Sequence, residues 1–243
     1  MSYLLVIGAT SDIAKATARE YASHGFDLYL ACRSPDDMTG FVQDLKIRSG
    51  RNTQSLALDI LDYDSHKGFY DALEEKPAGI LVAAGYLGEQ ATAQYDFDEV
   101  ARIINTNYTG IVNLLNIIAN DFEARGHGFI IGISSVAGDR GRQSNYLYGS
   151  AKSGLSTYLS GLRNRLNNKG VQVLTVKPGF VSTRMTANMD LPGPLTTQPG
   201  EVAEHIYKAQ QSGKDVIYTK RIWRWIMLII RAIPEWLFKR TNI

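Results

Sequence analysis

Tyr3-Leu-Leu-Val-Ile-Gly-Ala-Thr-Ser-Asp-Ile-Ala14, running on into Lys15-Ala-Thr-Ala-Arg-Glu-Tyr21, is the stretch that decides the fold. A short apolar run, a glycine and then a helical pattern describe a buried strand that delivers a helix N-terminus at its carboxyl edge. Free backbone N–H groups and the helix dipole make such a turn a seat for a pyrophosphate. Gly8 permits the tight turn, Ser11 can donate its hydroxyl, and Ala14 is small enough for close helix–strand packing. Thr10 and Ile13 are expected to contact the dinucleotide with them. The same letters also describe an ordinary strand–turn–helix. Asp12 stands where a second glycine would be expected, and its carboxylate opposes a phosphate unless it turns away to cap the helix.

Outward from this turn, β-rich apolar runs recur at Tyr3–Ile7, Asp27–Cys32, Gln54–Leu58, Ile80–Ala84, Phe129–Ile133, Val171–Val176 and Val216–Tyr218. Stretches of helical spacing separate them. Strands alternating with helices imply a parallel sheet, and nearly unbroken apolar strands imply one covered on both faces. The expectation is an α/β, doubly wound, seven-stranded parallel sheet with helices on both sides. It occupies one domain over residues 1–220, with a separate tail over 221–243. Leu191–Gly200, the one Pro/Gly-rich stretch, reads as a mobile surface loop.

With 243 residues and 44% hydrophobic content, the chain is long enough to bury one large core. Its apolar start lacks a basic leader and stops at a glycine turn, so it reads as a strand rather than a signal peptide, and a cytoplasmic protein is expected. The single cysteine, Cys32, cannot form an internal disulfide, and the four histidines lack metal-ligand spacing, so no metal is expected. Basic residues in the body are scattered among acids, which argues against nucleic acid as a partner. The outlier is residues 220–243, with six Lys/Arg against one acid.

The second strand ends Ala31-Cys32-Arg33, where an acid would accept the ribose hydroxyls of NAD. No acid is there, and Arg33 can pair with a 2′-phosphate. NADP(H) is therefore expected, with NAD(H) as the alternative. Asp59, just after the third strand, reads equally as an acceptor for the adenine amino group and as a helix N-cap. Tyr148 and Lys152 stand at i and i+4 and share a helix face. A lysine cation beside a phenol lowers its pKa toward the range a proton donor needs. Tyr146 lies six residues from Lys152 and reads as a pocket-lining or core aromatic. Ser135, thirteen residues before Tyr148, ends the fifth strand where a hydroxyl can bond a developing oxyanion. Ser134 has the opposite parity and should point away.

The set Gly8, Asn107, Ser135, Tyr148-x-x-x-Lys152 and Pro178-Gly179 resembles the short-chain dehydrogenase/reductase superfamily, a Rossmann-type family, across the whole chain. The resemblance implies that Tyr148 is the acid/base, that Lys152 also bonds the nicotinamide ribose, and that Ser135 orients the substrate carbonyl. It implies a proton relay at Asn107 and contacts to the nicotinamide amide from Pro178, Gly179, Val181 and Thr183. Ala84 and Gly85, in Val82-Ala-Ala-Gly85, occupy the family's Asn-Asn-Ala-Gly segment near the cofactor. Two departures bear on the adenosine and phosphate contacts: Asp12 and Ala14 replace glycines, and Val82-Ala83 replaces the asparagine pair. Gly8-Ala-Thr-Ser-Asp-Ile-Ala14, Asn107-Tyr-Thr-Gly110, Ser134-Ser-Val-Ala-Gly-Asp-Arg-Gly-Arg-Gln-Ser-Asn145 and the Trp/Arg-rich tail further resemble family members that reduce polyprenyl-phosphate-linked keto-sugars.

The tail holds all three tryptophans, and its longest uncharged run, Trp225–Ile230, is too short to span a bilayer. It reads as an interfacial segment at the inner face of the cell membrane, with Trp223, Trp225 and Trp236 at headgroup depth. The alternative is a helix packed on the core or on a partner subunit, so a homo-oligomer stays open. Arg140 and Arg142, in the loop between Ser135 and Tyr148, are expected to pair with a substrate phosphate. The function expected is reduction of a ketone to a secondary alcohol, the ketone being lipid-linked or small. Alternatives are a reductase of a soluble 3-oxoacyl or polyol substrate and a non-catalytic NADP-binding sensor.

Overall fold

The computed structural model describes residues 2–187 and 189–241. Along the chain come β1 (Tyr3–Ile7), α1 (Asp12–Ser23), β2 (Asp27–Cys32), α2 (Thr39–Ser49), β3 (Thr53–Ala57), α3 (Ser65–Asp71) and β4 (Gly79–Val82). Then follow α4 (Gln90–Ala93), α5 (Phe97–Ile104), α6 (Gly110–Arg125), β5 (Gly128–Ile133), α7 (Tyr146–Leu166) and β6 (Val171–Lys177). The carboxyl-terminal part holds β7 (Phe180–Val181), β8 (Thr196–Thr197), α8 (Pro199–Gln211), β9 (Val216–Tyr218), α9 (Ile222–Ala232) and α10 (Glu235–Phe238).

Seven of these strands form one parallel sheet in the order β3-β2-β1-β4-β5-β6-β9. Its central strands are apolar at every position because each residue faces a helical layer on one side or the other. Tyr3, Leu5, Ile7, Ile80 and Ile130 pack with Leu114, Ile118, Leu155 and Leu159 of α6 and α7. Leu4, Val6, Leu30, Leu81 and Ile131 pack with Ala14, Ala18, Tyr21, Val202 and Ile206 of α1 and α8. β3, at the sheet edge, is mostly half-exposed and starts one residue earlier than the apolar run suggests. β4 ends at Val82, not Ala84, because Ala83 and Ala84 already turn beneath Gly8. The chain winds from β1 to β3 in one direction and from β4 onward in the other, so a crevice opens above the carboxyl ends of β1 and β4.

One segment differs from the sequence reading, and in the tail the packed-helix alternative is what forms. Leu191–Gly200 contains β8, which pairs with β7, and Ser182 N–H donates to Thr197 O at 3.0 Å. The tail forms α9 and α10, and α9 buries Trp223, Met227 and Ile230 against Val136. Trp223 is therefore unavailable to a membrane surface, whereas Trp225 and Trp236 are exposed. Among the described residues, no helix is long and apolar enough to cross a membrane.

Candidate active site

A cleft of about 420 Å³ lies along the carboxyl ends of the central strands. The turn after β1 forms one wall. Gly8 has φ +75, and a side chain there would meet the Ala84 nitrogen at 2.6 Å, so only glycine lets the turn nest against the β4 loop. Ser11 caps α1, its Oγ accepting Ala14 N–H at 3.2 Å, which leaves the Asp12 and Ile13 N–H groups without acceptors inside the helix. Asp12 turns sideways. Its carboxylate accepts the Arg184 N–H at 2.8 Å and pairs with the Arg184 guanidinium, which also donates to Thr10 O. The phosphate-side acid is thus neutralised by an arginine 172 residues away. Arg184 carries no motif of its own; the signal that could have found it is the acid, which calls for a nearby cation.

Cys32, Arg33 and Asp59 line the same cleft at the ends of β2 and β3. Asp59 is not a helix cap: Asp64 precedes α3, and the Asp59 Oδ1 instead accepts Leu61 N–H at 3.0 Å. Ala84, Gly85, Pro178, Gly179, Val181 and Thr183 line the cleft beyond it. Trp223 packs so tightly over Gly179 that a Cβ there would meet its Nε1 at 2.0 Å. The indole donates to Leu195 O at 3.1 Å and meets Phe180 edge-on, which makes the tail a wall of the site.

Tyr148 and Lys152 project into the cleft from the first turns of α7, opposite Ser135, which lies two residues past β5 and caps a short 3-10 turn. Lys152 Nζ donates to Ile133 O at 3.1 Å and lies 5.7 Å from the centre of the Tyr148 ring. The Ser135 hydroxyl accepts Ala137 N–H at 3.1 Å and faces Tyr148 in the cleft. Ser134 points away, as its parity requires, and bonds Lys152 O and Ser156. Burial pushes the Tyr148 phenol up to about 12, only partly opposed by Ser135, and pulls the Lys152 ammonium down to about 8. The expectation that the lysine lowers the phenol is therefore corrected: burial is the larger effect, and what opposes it comes from Ser135. At neutral pH the phenol keeps its proton, the form that can donate to a developing alkoxide. Tyr146, at the first position of α7, is exposed, neither core nor cleft.

Asn107 does not line the cleft but holds its floor. A π-turn over Asn105–Thr109 swings it inward between α5 and α6, where it is fully buried. Its Nδ2 donates to Tyr86 O and Ile103 O, and its Oδ1 accepts Tyr86 N–H. The side chain is thus spent on positioning the loop after β4. Arg140 overturns its expectation as well. Its guanidinium donates to Ile230 O, Arg231 O and Ile233 O, pairs with Glu235 and stacks on Phe238. It caps the carboxyl end of α9 and does not line the cleft. Arg142, two residues on, does line the cleft.

The sequence pattern of the short chain dehydrogenase family matches residues 2–192. An uncharacterized oxidoreductase of Mycobacterium tuberculosis is 34% identical over 240 residues, covering 98% of this chain and 96% of its own. Another, from Streptomyces coelicolor, is 33% identical over 245 residues, covering 99% and 96%. The structure of a short-chain dehydrogenase from Sphingobium yanoikuyae in complex with NADPH superposes with a TM-score of 0.84 at 22% identity, covering 97% of each chain, a likeness of fold.

Proposed function

The chain belongs to the short-chain dehydrogenase/reductase family and is an oxidoreductase, and from that premise we propose that it reduces a ketone to a secondary alcohol with NADP(H). The observation that carries the reading is the convergence of Tyr148, Lys152 and Ser135 on one cleft with the turn after β1. A nucleotide-binding sensor would need the turn but not a buried phenol–ammonium pair.

The cleft fits a dinucleotide: Gly8 admits close approach of a phosphate, and the first N–H groups of α1 are unspent. Thr10, Ser11, Asp12 and Ile13 would hold the pyrophosphate, Arg33 a 2′-phosphate and Asp59 the adenine. Ala84, Gly85, Tyr148 and Lys152 would flank the nicotinamide ribose, and Pro178, Gly179, Val181 and Thr183 the amide. The NADPH found in the Sphingobium yanoikuyae structure favours the phosphorylated cofactor. When bound, the cofactor supplies the hydride. Ser135 donates a hydrogen bond to the carbonyl oxygen and so favours its developing negative charge. Tyr148 Oη gives its proton to that oxygen, and the Lys152 ammonium stabilises the phenolate left behind. Asn107 acts through the Tyr86 loop and not on the substrate.

For the substrate we infer a keto-sugar carried on a polyprenyl phosphate and presented at an anionic membrane face. The outer side of α9 and α10 exposes Trp225, Leu228, Ile229 and Trp236 beside Arg221, Arg224, Arg231 and Lys239. Apolar groups ringed by cations suit a lipid interface. A soluble 3-oxoacyl or polyol ketone is the competing substrate class, favoured if that face ignores lipid.

Tyr148→Phe tests the chemistry. Turnover of any accepted ketone should fall by about 10²-fold or more while NADPH affinity stays near normal. Wild-type turnover in that variant would overturn the assignment.

A further inference from the structure

We propose that Arg142 and Asn145 form a subsite for a phosphorylated sugar at the substrate end of the cleft, Arg142 taking the phosphate and Asn145 a neighbouring hydroxyl. The proposal rests on the ketone-reductase reading and names the substrate class of that site.

Both side chains line the cleft that holds Tyr148, and both carry a buried polar atom with no partner among the described residues: Arg142 Nε and Asn145 Oδ1. Arg142 Nη2 has only the Met227 thioether, at 3.4 Å, a poor acceptor for a guanidinium. The acid that acts on Arg142 is Asp139, but that carboxylate is already bound by Lys177 and by the Tyr218 hydroxyl. A cation is therefore held half-buried without a counter-charge, a costly arrangement that an incoming oxyanion would relieve. Burial also lowers the Arg142 pKa, in keeping with its lack of a paired acid.

The position selects the substrate end. Met227 lies one turn beyond Trp223 on α9, and Trp223 closes over Gly179, in the segment assigned to the nicotinamide amide. Asn145 N–H donates to Arg142 O at 3.1 Å, so one tight turn carries the guanidinium and the carboxamide immediately before Tyr148. An unspent fork of N–H donors matches the oxygens of a phosphate. An unspent carboxamide oxygen accepts a hydroxyl and would repel a second anion. Together they describe a polyol bearing one phosphate ester. Arg140 contributes from behind: by capping α9 it fixes the wall on which Met227 and Trp223 stand.

The probes are ribulose 5-phosphate and ribulose, with the full-length chain and NADPH. Turnover and calorimetric binding to the NADP-loaded protein are both measured. The wild type should prefer the phosphorylated ketose, and Arg142→Gln should cut that preference at least tenfold, mainly through KM. Arg142→Lys should recover part of it, since the charge returns without the fork. Asn145→Ala should weaken both ketoses several-fold. Inorganic phosphate should compete with ribulose 5-phosphate in the wild type and lose that effect in Arg142→Gln. Arg142→Met should melt no lower than the wild type; a marked drop would assign Arg142 a structural role and overturn the subsite. Equal preference in the wild type and Arg142→Gln would also overturn it, with the reductase reading intact if ribulose is still reduced. Competition by phosphatidylglycerol vesicles matching that of ribulose 5-phosphate would reassign the pair to a lipid headgroup. Failure to bind either ketose, with no reduction of any ketone, would remove both readings.

Discussion

Asp12 in the first turn of α1 and Arg184 after β7 are joined twice, carboxylate to backbone N–H at 2.8 Å and carboxylate to guanidinium at 3.2 Å. An acid in the turn proposed to hold the pyrophosphate becomes tolerable because its charge is answered from across the cleft. Arg184→Ala should therefore weaken NADPH binding, by roughly tenfold, an effect of about 1.4 kcal/mol. Asp12→Asn in the same chain should restore most of the loss, because the exposed carboxylate is then gone. A fluorescence titration of the two single variants and the double decides it; simple additivity would remove the coupling.

Lys152 makes stability depend on pH. Burial pulls its ammonium down to about 8, from an ordinary lysine value of 10.5, because the folded chain strips it of water. Below pH 8 it is charged in both states, so folding carries the full desolvation cost. Between 8 and 10.5 the unfolded chain binds more protons, and the fold gains stability as pH rises. Lys152→Met should thus be more stable than the wild type at pH 7, by about 1–3 kcal/mol. That advantage should shrink to nothing above the upper value. Melting curves across the range check it, and a gap independent of pH would refute it.

Arg33 should choose the cofactor. It lines the cleft beside Cys32, at the end proposed to take the adenosine. Arg33→Ala should weaken NADP binding by about 1–3 kcal/mol and change NAD affinity little. Equal losses for the two nucleotides would show that the guanidinium does not meet the 2′-phosphate.

The tail should separate into two functions on opposite sides of one helix. Trp223 is 4% exposed and walls the cleft, so Trp223→Ala should cost about 3 kcal/mol or more and lower the melting temperature by roughly 10 °C. Trp225 and Ile229 are 63% and 66% exposed, and replacing both with Ser should leave the melting temperature unchanged. The same pair should abolish sedimentation with phosphatidylglycerol vesicles. Wild-type protein that ignores those vesicles would leave a soluble ketone as the better substrate.

The α/β sheet, its seven strands and the placing of Ser135, Tyr148 and Lys152 were legible in the chain alone, because local periodicity and spacing dictate them. Apolar runs are legible when both faces of a strand are buried, and an i, i+4 pair is legible because a helix places both side chains on one face. What only the tertiary structure decided are relationships between residues far apart in the chain. Arg184 answers Asp12 across 172 positions, and Arg140 leaves the cleft because the carbonyls ending α9 compete for its guanidinium. Trp223 becomes an active-site wall for the same reason that Trp225 does not: α9 is apolar on nearly every side, and only its docking on Val136 selects which face is buried. The Tyr148 phenol rises where spacing alone suggested it would fall, since desolvation is set by the whole enclosure and not by one neighbour.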